Sequence, residues 1–307
     1  MQEPMAEHTT FRAGGTADVF VTSELSCLRS VLQFLKKEKV PFVILGNGSN
    51  VLVSDKGYHG VIVRLSEGGA NRADDRSTAA NSDQNQDTNA GILIRENTLI
   101  CNAGIKLGVA AHAAMEASLE GVAFAAGIPG TVGGALTMNA GAFGGEMKDI
   151  AESVTALDLE KDEVPEITLT REEMHFSYRH SIAAERKLCF TGATLKLMPG
   201  DRQGIETRMR EISTQRTEKQ PLNFPSAGST FKRPEGYFAG KLIMDAGLRG
   251  YSVGGAQVSE KHCGFVINKG GATATDIYTL ICDVQKTVLE NSGVALEREV
   301  ILLGDFD

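Results

Sequence analysis

Glycine is unevenly distributed along this chain, and its clusters constrain the backbone more than any other sequence feature. Glycine supplies 34 of the 307 residues, roughly 11%, whereas its average usage in proteins is about 7%. The glycines have no three-residue period, which excludes collagen-like and low-complexity interpretations. They gather instead in short segments, above all at 46–50 and 121–145. Because glycine permits close approach to the backbone, we expect a ligand site at these segments.

Length and composition indicate a folded chain that is long enough for two ordinary domains or three small ones. Hydrophobic residues make up 42%, and the net charge is −8, from 31 basic and 39 acidic residues. This acidic balance argues against a nucleic-acid partner, which requires phosphate neutralisation. No apolar run reaches the ~18 residues of a membrane span, and the amino terminus lacks a signal-peptide pattern. We therefore expect no membrane association, and nothing in the sequence indicates an obligate protein partner.

The cysteines and histidines do not predict a disulfide framework or a metal site. The five cysteines are an odd number and lie far apart, which favours a reducing, cytoplasmic location. The histidines follow no H-E-x-x-H or similar liganding pattern, so we expect no bound metal.

Strand and helix patterns mix without regular alternation, which predicts an α+β fold rather than a doubly wound sheet. Apolar residues three or four apart predict a helix that Ser23 caps. A second amphipathic helix is predicted over 276–291, with Gly293 as its stop. Residues 67–91 contain no Val, Ile, Leu or aromatic residue. We predict a solvated loop there, at the tip of an elongated hairpin.

The first glycine cluster follows a buried strand and begins like a dinucleotide fingerprint. It consists of Gly46, Asn47, Gly48, Ser49 and Asn50. The fingerprint's third glycine is replaced by Val51, and the chain continues as a strand, which excludes a Rossmann site. Such a loop can still present successive N–H groups as an anion nest. A plain hairpin turn is the alternative that these residues leave open.

The second cluster places Pro129 just ahead of a predicted helix start. Proline suits a first helical turn, and we expect the N–H groups beyond it to point toward an anion. Gly133 and Gly134 each lower helix stability by about 1 kcal/mol relative to alanine. A neighbouring element or a flat ligand should therefore approach the backbone at these two residues. Two separated glycine nests predict one long ligand with a pyrophosphate, such as FAD.

Together these motifs resemble the UDP-N-acetylenolpyruvoylglucosamine reductase family, flavoenzymes of peptidoglycan precursor synthesis. The resemblance spans almost the whole chain. It runs through residues 46–50, 127–134, 139–142, 178–181, 227–232, 254–256 and 296–300. No tyrosine-bearing insertion interrupts residues 236–248, so the chain is similar to the shorter type of this family.

The resemblance implies a two-subdomain FAD-binding fold (PCMH-type) plus a smaller α+β substrate-binding domain. The implied boundaries are 1–64 with 297–307 for FAD subdomain 1, 65–202 for FAD subdomain 2, and 203–296 for the substrate domain. It also implies non-covalent FAD, NADPH as co-substrate, and UDP-N-acetylglucosamine enolpyruvate as substrate. The implied cofactor-binding residues are Gly46, Asn47, Gly48, Ser49, Asn50, Gly104, Gly127, Ile128, Pro129, Gly130, Thr131, Gly133, Gly134, Asn139, Gly141 and Ala142.

Three residues match the catalytic positions of the family. Arg179 is expected to pair with the substrate carboxylate, because a planar, permanently charged fork suits that group. Ser229 matches the proton donor. Glu299, rather than the nearby Glu297, matches a carboxyl group of the family. That group can hydrogen-bond the enolate that develops when the substrate is reduced. The implied substrate-binding residues are Tyr178, Lys219, Arg233, Arg249 and His262.

Two other functions remain as alternatives at this point. One is an FAD-dependent oxidase or dehydrogenase with the same flavin fold, and the other is a non-catalytic protein that binds a nucleotide sugar. The set of Arg179, Ser229 and Glu299 favours the reductase, because neither alternative requires these three residues together.

Overall fold

The structure of the protein is a computed structural model that describes residues 2–67, 86–89 and 91–307. The chain forms two compact units. Unit 1 contains Met1–Phe20, Asn47–Ile62 and Gln215–Asp307, and unit 2 contains Val21–Gly46 and Val63–Thr214.

Helices and strands are mixed in both units, as the α+β prediction requires. The strands are β1 Glu3–Pro4, β2 Thr16–Ser23, β3 Phe42–Leu45, β4 Val51–Val53, β5 Tyr58–Leu65, β6 Gln86–Asn89, β7 Ile92–Arg95, β8 Thr98–Asn102, β9 Leu119–Glu120, β10 Gly141–Ala142, β11 Gly145–Glu146, β12 Ala151–Asp158, β13 Glu166–Thr170, β14 Leu188–Lys196, β15 Met198–Pro199, β16 Ser252–Val253, β17 Ala256–Val258, β18 Val266–Asn268 and β19 Ile301–Leu303. The α-helices are α1 Leu25–Lys37, α2 Leu107–Glu116, α3 Val132–Thr137, α4 Met147–Ile150, α5 Arg202–Lys219, α6 Ala239–Asp245 and α7 Ala274–Ser292. Short 3₁₀ helices lie at Met5–Glu7, Ala123–Ala125 and Ile182–Ala184.

Helix α7 provides the largest apolar face of the unit 1 core. It packs against α6 and against the antiparallel sheet of β16, β17 and β18. The predicted face is confirmed, because its five apolar side chains are fully buried: Ile277, Leu280, Ile281, Val284 and Val288. The helix begins at a capping box between Thr273 and Asp276 and ends at Gly293, whose φ is 71°. Both ends therefore follow from local sequence.

Unit 1 contains a parallel strand pair between segments that are far apart in the sequence. Strand β19, at the end of the chain, pairs with β4 so that Ile301 lies opposite Val51. Parallel strands cannot be joined by a tight turn, and here almost the whole chain separates the two. This pairing is set by tertiary packing rather than by a local signal.

Unit 2 contains a six-stranded antiparallel sheet in the order β13-β12-β14-β8-β7-β6. Its register places Leu195 of β14 opposite Leu99 of β8, and both side chains are buried. Helix α3 packs against β14. The sheet therefore supplies the floor on which the glycine-rich α3 is positioned.

Two local predictions require correction or restriction. Ser23 does not cap α1, because it is the buried last residue of β2 and its hydroxyl donates to the Glu24 carbonyl at 3.0 Å. Most of the predicted loop at 67–91 lies outside the described residues, but residues 86–89 within it form β6. Pairing with β7 gives this polar segment a strand conformation that its composition does not indicate.

Within residues 2–67, 86–89 and 91–307, none of the helices has both the length and the apolar character needed to cross a bilayer.

We predict that truncating the buried face of α7 destabilises unit 1. Leu280→Ala should lower the free energy of unfolding by about 2–5 kcal/mol, because it removes packing and leaves a cavity. Leu289→Ala, in the same helix but with Leu289 48% exposed, should change it by about 0.5 kcal/mol or less. Urea unfolding of both variants measures the difference, and equal losses would contradict the assignment of the α7 core face.

Candidate cofactor and catalytic site

A cavity of about 680 Å³ lies within unit 2. Its walls come from β3, the end of α1, α3 and the start of β14. Five predicted cofactor residues line it: Gly46, Gly104, Thr131, Gly133 and Gly134. Its volume falls in the ~300–1,000 Å³ range of ligand sites. Its walls are mostly apolar with few polar groups, as is typical of such sites. The cavity therefore fits part of a large, flat cofactor.

The first turn of α3 does not offer the N–H groups expected beyond Pro129. Val132 N–H donates to the Ile105 carbonyl at 2.8 Å, and Gly133 N–H donates to the Ala103 carbonyl at 2.9 Å. Gly134 N–H donates to Thr131 Oγ1 at 3.2 Å, so Thr131 is the N-cap. Pro129 consequently lies before the cap and outside the helix. The prediction of an anion cradle is therefore wrong for the N–H groups of Val132, Gly133 and Gly134, because oxygen atoms of the protein already accept hydrogen bonds from them.

Gly133 and Gly134 are needed for two different reasons. A Cβ on Gly133 would lie 2.8 Å from the Cβ of Ala103, so this glycine permits close packing of α3 on the preceding loop. A Cβ on Gly134 would meet only Thr131 Oγ1, at 3.4 Å, and otherwise open space. Because Gly134 lines the cavity, its missing side chain leaves room for a ligand. Each of the expected causes, a neighbouring element and a ligand, thus applies to one glycine.

The other predicted cofactor residues of unit 2 lie outside the cavity lining. These residues are Gly127, Ile128, Pro129, Gly130, Asn139, Gly141 and Ala142. The Gly130 carbonyl accepts from Leu107 N–H at the start of α2, and residues 141–142 form the hairpin strand β10. Asn139 is fully buried, and its amide donates to Glu146 Oε2 at 2.6 Å and to the Ser177 carbonyl at 3.0 Å. Its side chain therefore joins protein segments to each other.

The loop at 46–50 is not the turn of a hairpin, because the strand that follows it, β4, pairs with β19. Gly48 has a φ of 62°, and a Cβ there would lie 2.0 Å from the His8 carbonyl oxygen. The Gly48 carbonyl accepts from Thr10 N–H at 3.1 Å. Only glycine fits this left-handed position against the amino-terminal segment.

Glu299 is connected by hydrogen bonds to both neighbouring functional segments of unit 1. Its N–H donates to the Thr230 carbonyl at 2.9 Å. Its carbonyl accepts from Asn50 Nδ2 at 3.1 Å. The predicted carboxyl residue is therefore positioned between the glycine loop and the Ser229 turn. Glu297, the competing residue, pairs with Lys232 and its side chain is 70% exposed, which fits a surface ion pair.

Ser229 stands on a rigidly held turn. Gly228 before it has a φ of 76°. Thr230 after it is fully buried, donates its N–H to the Gly264 carbonyl at 2.8 Å and accepts at Oγ1 from Val266 N–H at 2.9 Å. Ser229 itself is exposed. The fold thus holds the backbone that follows Ser229 and leaves Ser229 exposed.

Arg179 lies in unit 2 at the tip of a tight turn. Ser177 and His180 exchange two backbone hydrogen bonds of 3.2 Å, which places Tyr178 and Arg179 at the turn. The guanidinium lies 5.0 Å from the centre of the Tyr178 ring. Arg179 is half-buried, and Tyr178 is exposed.

The predicted substrate residues of unit 1 have distinct environments. Arg249 donates to the Glu260 carbonyl at 2.8 Å, and the Arg233 guanidinium stacks 4.1 Å from the centre of the Phe238 ring. Lys219 is exposed at the end of α5. Phe238, the stacking partner of Arg233, was not among the predicted site residues. It is 60% exposed, and no sequence pattern indicates that exposure.

His262 is a hydrogen-bonding group rather than a cation. It is half-buried, and burial lowers its pKa below the ordinary value of 6.5. Its Nδ1 accepts from Gly264 N–H at 3.1 Å. At neutral pH His262 therefore offers a neutral ring to a ligand.

Comparison with known proteins accounts for both ends of the chain. An FAD binding domain model matches residues 17–164, and a model for the C-terminal domain of UDP-N-acetylenolpyruvoylglucosamine reductase matches residues 220–303. The reductase of Agathobacter rectalis is 50% identical over 99% of this chain and 93% of its own length. The chain belongs to the UDP-N-acetylenolpyruvoylglucosamine reductase family.

Other members of the reductase family extend this similarity. The reductase of Caldanaerobacter subterraneus is 46% identical, over 99% of this chain and 93% of its own length. The crystal structure of the Thermus caldophilus reductase matches with a TM-score of 0.78 and 30% identity, covering 99% of this chain and 98% of that one. These matches confirm the predicted FAD-binding fold with a separate C-terminal domain typical of the reductase family.

We predict opposite effects for alanine at the two glycines of α3. Gly134→Ala should stabilise the flavin-free protein by about 1 kcal/mol through helix propensity. It should also weaken FAD binding about tenfold or more, because the added methyl occupies cavity space. Gly133→Ala, the matched control, should lower the melting temperature through its clash with Ala103. Melting curves and fluorescence titration with FAD measure both, and unchanged FAD affinity in Gly134→Ala would exclude this cavity as the flavin nucleotide site.

Proposed function

We propose that this chain uses NADPH to reduce the enolpyruvyl ether of UDP-N-acetylglucosamine enolpyruvate, giving UDP-N-acetylmuramate for peptidoglycan synthesis, with Arg179, Ser229 and Glu299 as its catalytic residues. The observation that carries the proposal is the hydrogen bond from Glu299 N–H to the Thr230 carbonyl, 2.9 Å long. It joins the Glu299 segment to the Ser229 turn in a chain that matches the reductases along 99% of its length.

FAD is the cofactor of this family, and bound FAD supplies hydride transfer from NADPH to the substrate. The glycine-lined cavity of unit 2 fits such a group, because Gly46 and Gly134 leave its wall without side chains. Thr131 holds this wall in place by capping α3. The chain's own residues must then bind the substrate, orient it and manage charge and protons.

Arg179 pairs with the carboxylate of the enolpyruvyl group. Hydride addition to the distal vinyl carbon moves negative charge toward this carboxylate, and a guanidinium stabilises that charge with a bidentate geometry. The tight turn at Ser177–His180 supports this role, because it restricts the backbone that carries the side chain.

Ser229 donates the proton to the carbon next to the carboxylate. An alcohol is a weak acid, but a carbon-centred enolate is a strong base, so the transfer is favourable once the two are in contact. The exposed hydroxyl and the fixed backbone of Thr230 support this assignment.

Glu299, in its protonated form, donates a hydrogen bond to the developing enolate oxygen. A carboxyl shielded from water can hold its proton at neutral pH. Glu299 is half-buried, whereas the exposed Glu297 is occupied by Lys232. This difference supports Glu299 as the participating residue.

Tyr178 is a further substrate-binding residue. The UDP part of the substrate binds to Lys219, Arg233 and Arg249 as cationic groups, with His262 as a hydrogen-bonding group. Arginine forks suit phosphate oxygens. We place this binding in the predicted substrate domain, 203–296, and the reaction in the cytoplasm. The predicted subdomain boundaries at 1–64 with 297–307 and at 65–202 stay predictions.

We predict that Ser229→Ala separates the two halves of the reaction. NADPH should bleach the bound flavin at the wild-type rate, because Ser229 has no part in that step. The enolpyruvyl substrate should restore flavin absorbance about 10²–10⁴-fold more slowly, which is the contribution of a positioned general acid. Anaerobic stopped-flow absorbance measures both rates.

The matched control is Ser26→Ala, which removes an exposed serine of α1 and should leave both rates unchanged. Equal slowing of the two half-reactions by Ser229→Ala would contradict its role as proton donor. Wild-type protein that NADPH bleaches but the substrate does not restore would contradict the proposed substrate.

A further inference from the structure

The Arg179 turn belongs to a loop that is closed at its base within unit 2. Ile182 N–H donates to the Met174 carbonyl at 2.8 Å, and Met174 is fully buried. Residues 175–181 therefore project from a fixed base. Arg179 lies within this projecting part, between the two anchors.

The loop contains two residues in the left-handed backbone region. Arg179 has a φ of 55° and His175 a φ of 47°. For residues with a Cβ this conformation is unfavourable, because the Cβ comes too close to the following carbonyl oxygen. Such conformations persist only where the surrounding structure holds them. Side-chain contacts add to the backbone hydrogen bonds that hold this loop in place.

One face of the loop is held by contacts to the α3 region. The Ser181 hydroxyl donates to the Thr137 carbonyl at 2.7 Å, and Asn139 Nδ2 donates to the Ser177 carbonyl at 3.0 Å. These contacts reach Ser177 and Ser181, on either side of the turn. They leave the imidazoles of His175 and His180 to be fixed by another group.

That group is Glu185, just beyond the 3₁₀ helix Ile182–Ala184. Its Oε1 lies 2.9 Å from His180 Nε2, and its Oε2 lies 3.0 Å from His175 Nδ1. One carboxylate thus bridges two histidines that flank the Arg179 turn. The hydrogen bond from His180, and then that from His175, lowers the pKa of Glu185, so the carboxylate stays charged at neutral pH.

We propose that Glu185 is a positioning residue for Arg179, which it holds by clamping His180 and His175. The inference rests on the role proposed above for Arg179 and adds a residue that does not touch the substrate. A solvent-exposed contact between a carboxylate and imidazoles contributes little to global stability. Its consequence should therefore appear in the step that uses Arg179 and not in unfolding.

The test compares Glu185→Ala, His180→Ala and the double variant in the FAD-loaded protein. Glu185→Ala should slow substrate-driven recovery of flavin absorbance about three- to tenfold, less than the ~10²-fold that a 1 Å displacement can cost. NADPH-driven bleaching, FAD content and melting temperature should match wild type. The double variant should be slowed by less than the product of the two single effects, because both changes remove the same clamp.

Two controls separate the possible outcomes. Glu172→Ala removes an exposed glutamate just before the loop and should change none of the readouts. Arg179→Ala should slow substrate-driven recovery by more than Glu185→Ala does.

Wild-type recovery in Glu185→Ala while Arg179→Ala is slow would overturn the inference and leave the proposed function standing. Fully multiplicative effects in the double variant would also overturn it, as would a lowered melting temperature or FAD content in Glu185→Ala. Wild-type recovery in Arg179→Ala would instead overturn the role of Arg179, and the inference with it.

Discussion

The hydrogen bonding of residues 297–303 is the constraint on which the candidate site segments of unit 1 depend. On one side Glu299 N–H donates to the Thr230 carbonyl, and on the other Asn50 Nδ2 donates to the Glu299 carbonyl. Ile301 N–H then donates to the Asn50 carbonyl, where β19 begins its parallel pairing with β4. A segment only a few residues long therefore joins the glycine loop, the Ser229 turn and Glu299 in one network. Unit 1 cannot complete it until the end of the chain is in place.

The glycines of unit 2 act mainly through shape. The N–H groups of Val132, Gly133 and Gly134 are all used within the protein, so α3 contributes a smooth wall rather than a set of free donors. Gly133 lets that wall approach Ala103, and Gly134 leaves it open to the cavity. The two adjacent glycines thus have different uses. Gly133 permits close packing, and Gly134 leaves space in the cavity wall.

Sequence patterns predicted the features that depend on neighbouring residues. The buried face of α7 and its stop at Gly293 follow from apolar spacing and from the left-handed conformation that glycine permits. Features that depend on distant segments were missed. The N–H groups of Val132 and Gly133 at the start of α3 donate to the carbonyls of residues 105 and 103. The polar strand β6 forms because it pairs with β7. Motif resemblance identified Ser229 and Glu299 individually, but only the structure shows the hydrogen bond that joins their segments.

The most direct test of this account is the stoichiometry of NADPH oxidation by FAD-loaded protein supplied with UDP-N-acetylglucosamine enolpyruvate. The account predicts one NADPH consumed for each substrate reduced, with no substrate-dependent consumption after FAD is removed and full recovery when FAD is restored. NADPH consumption that does not change when the enolpyruvyl substrate is added would contradict it.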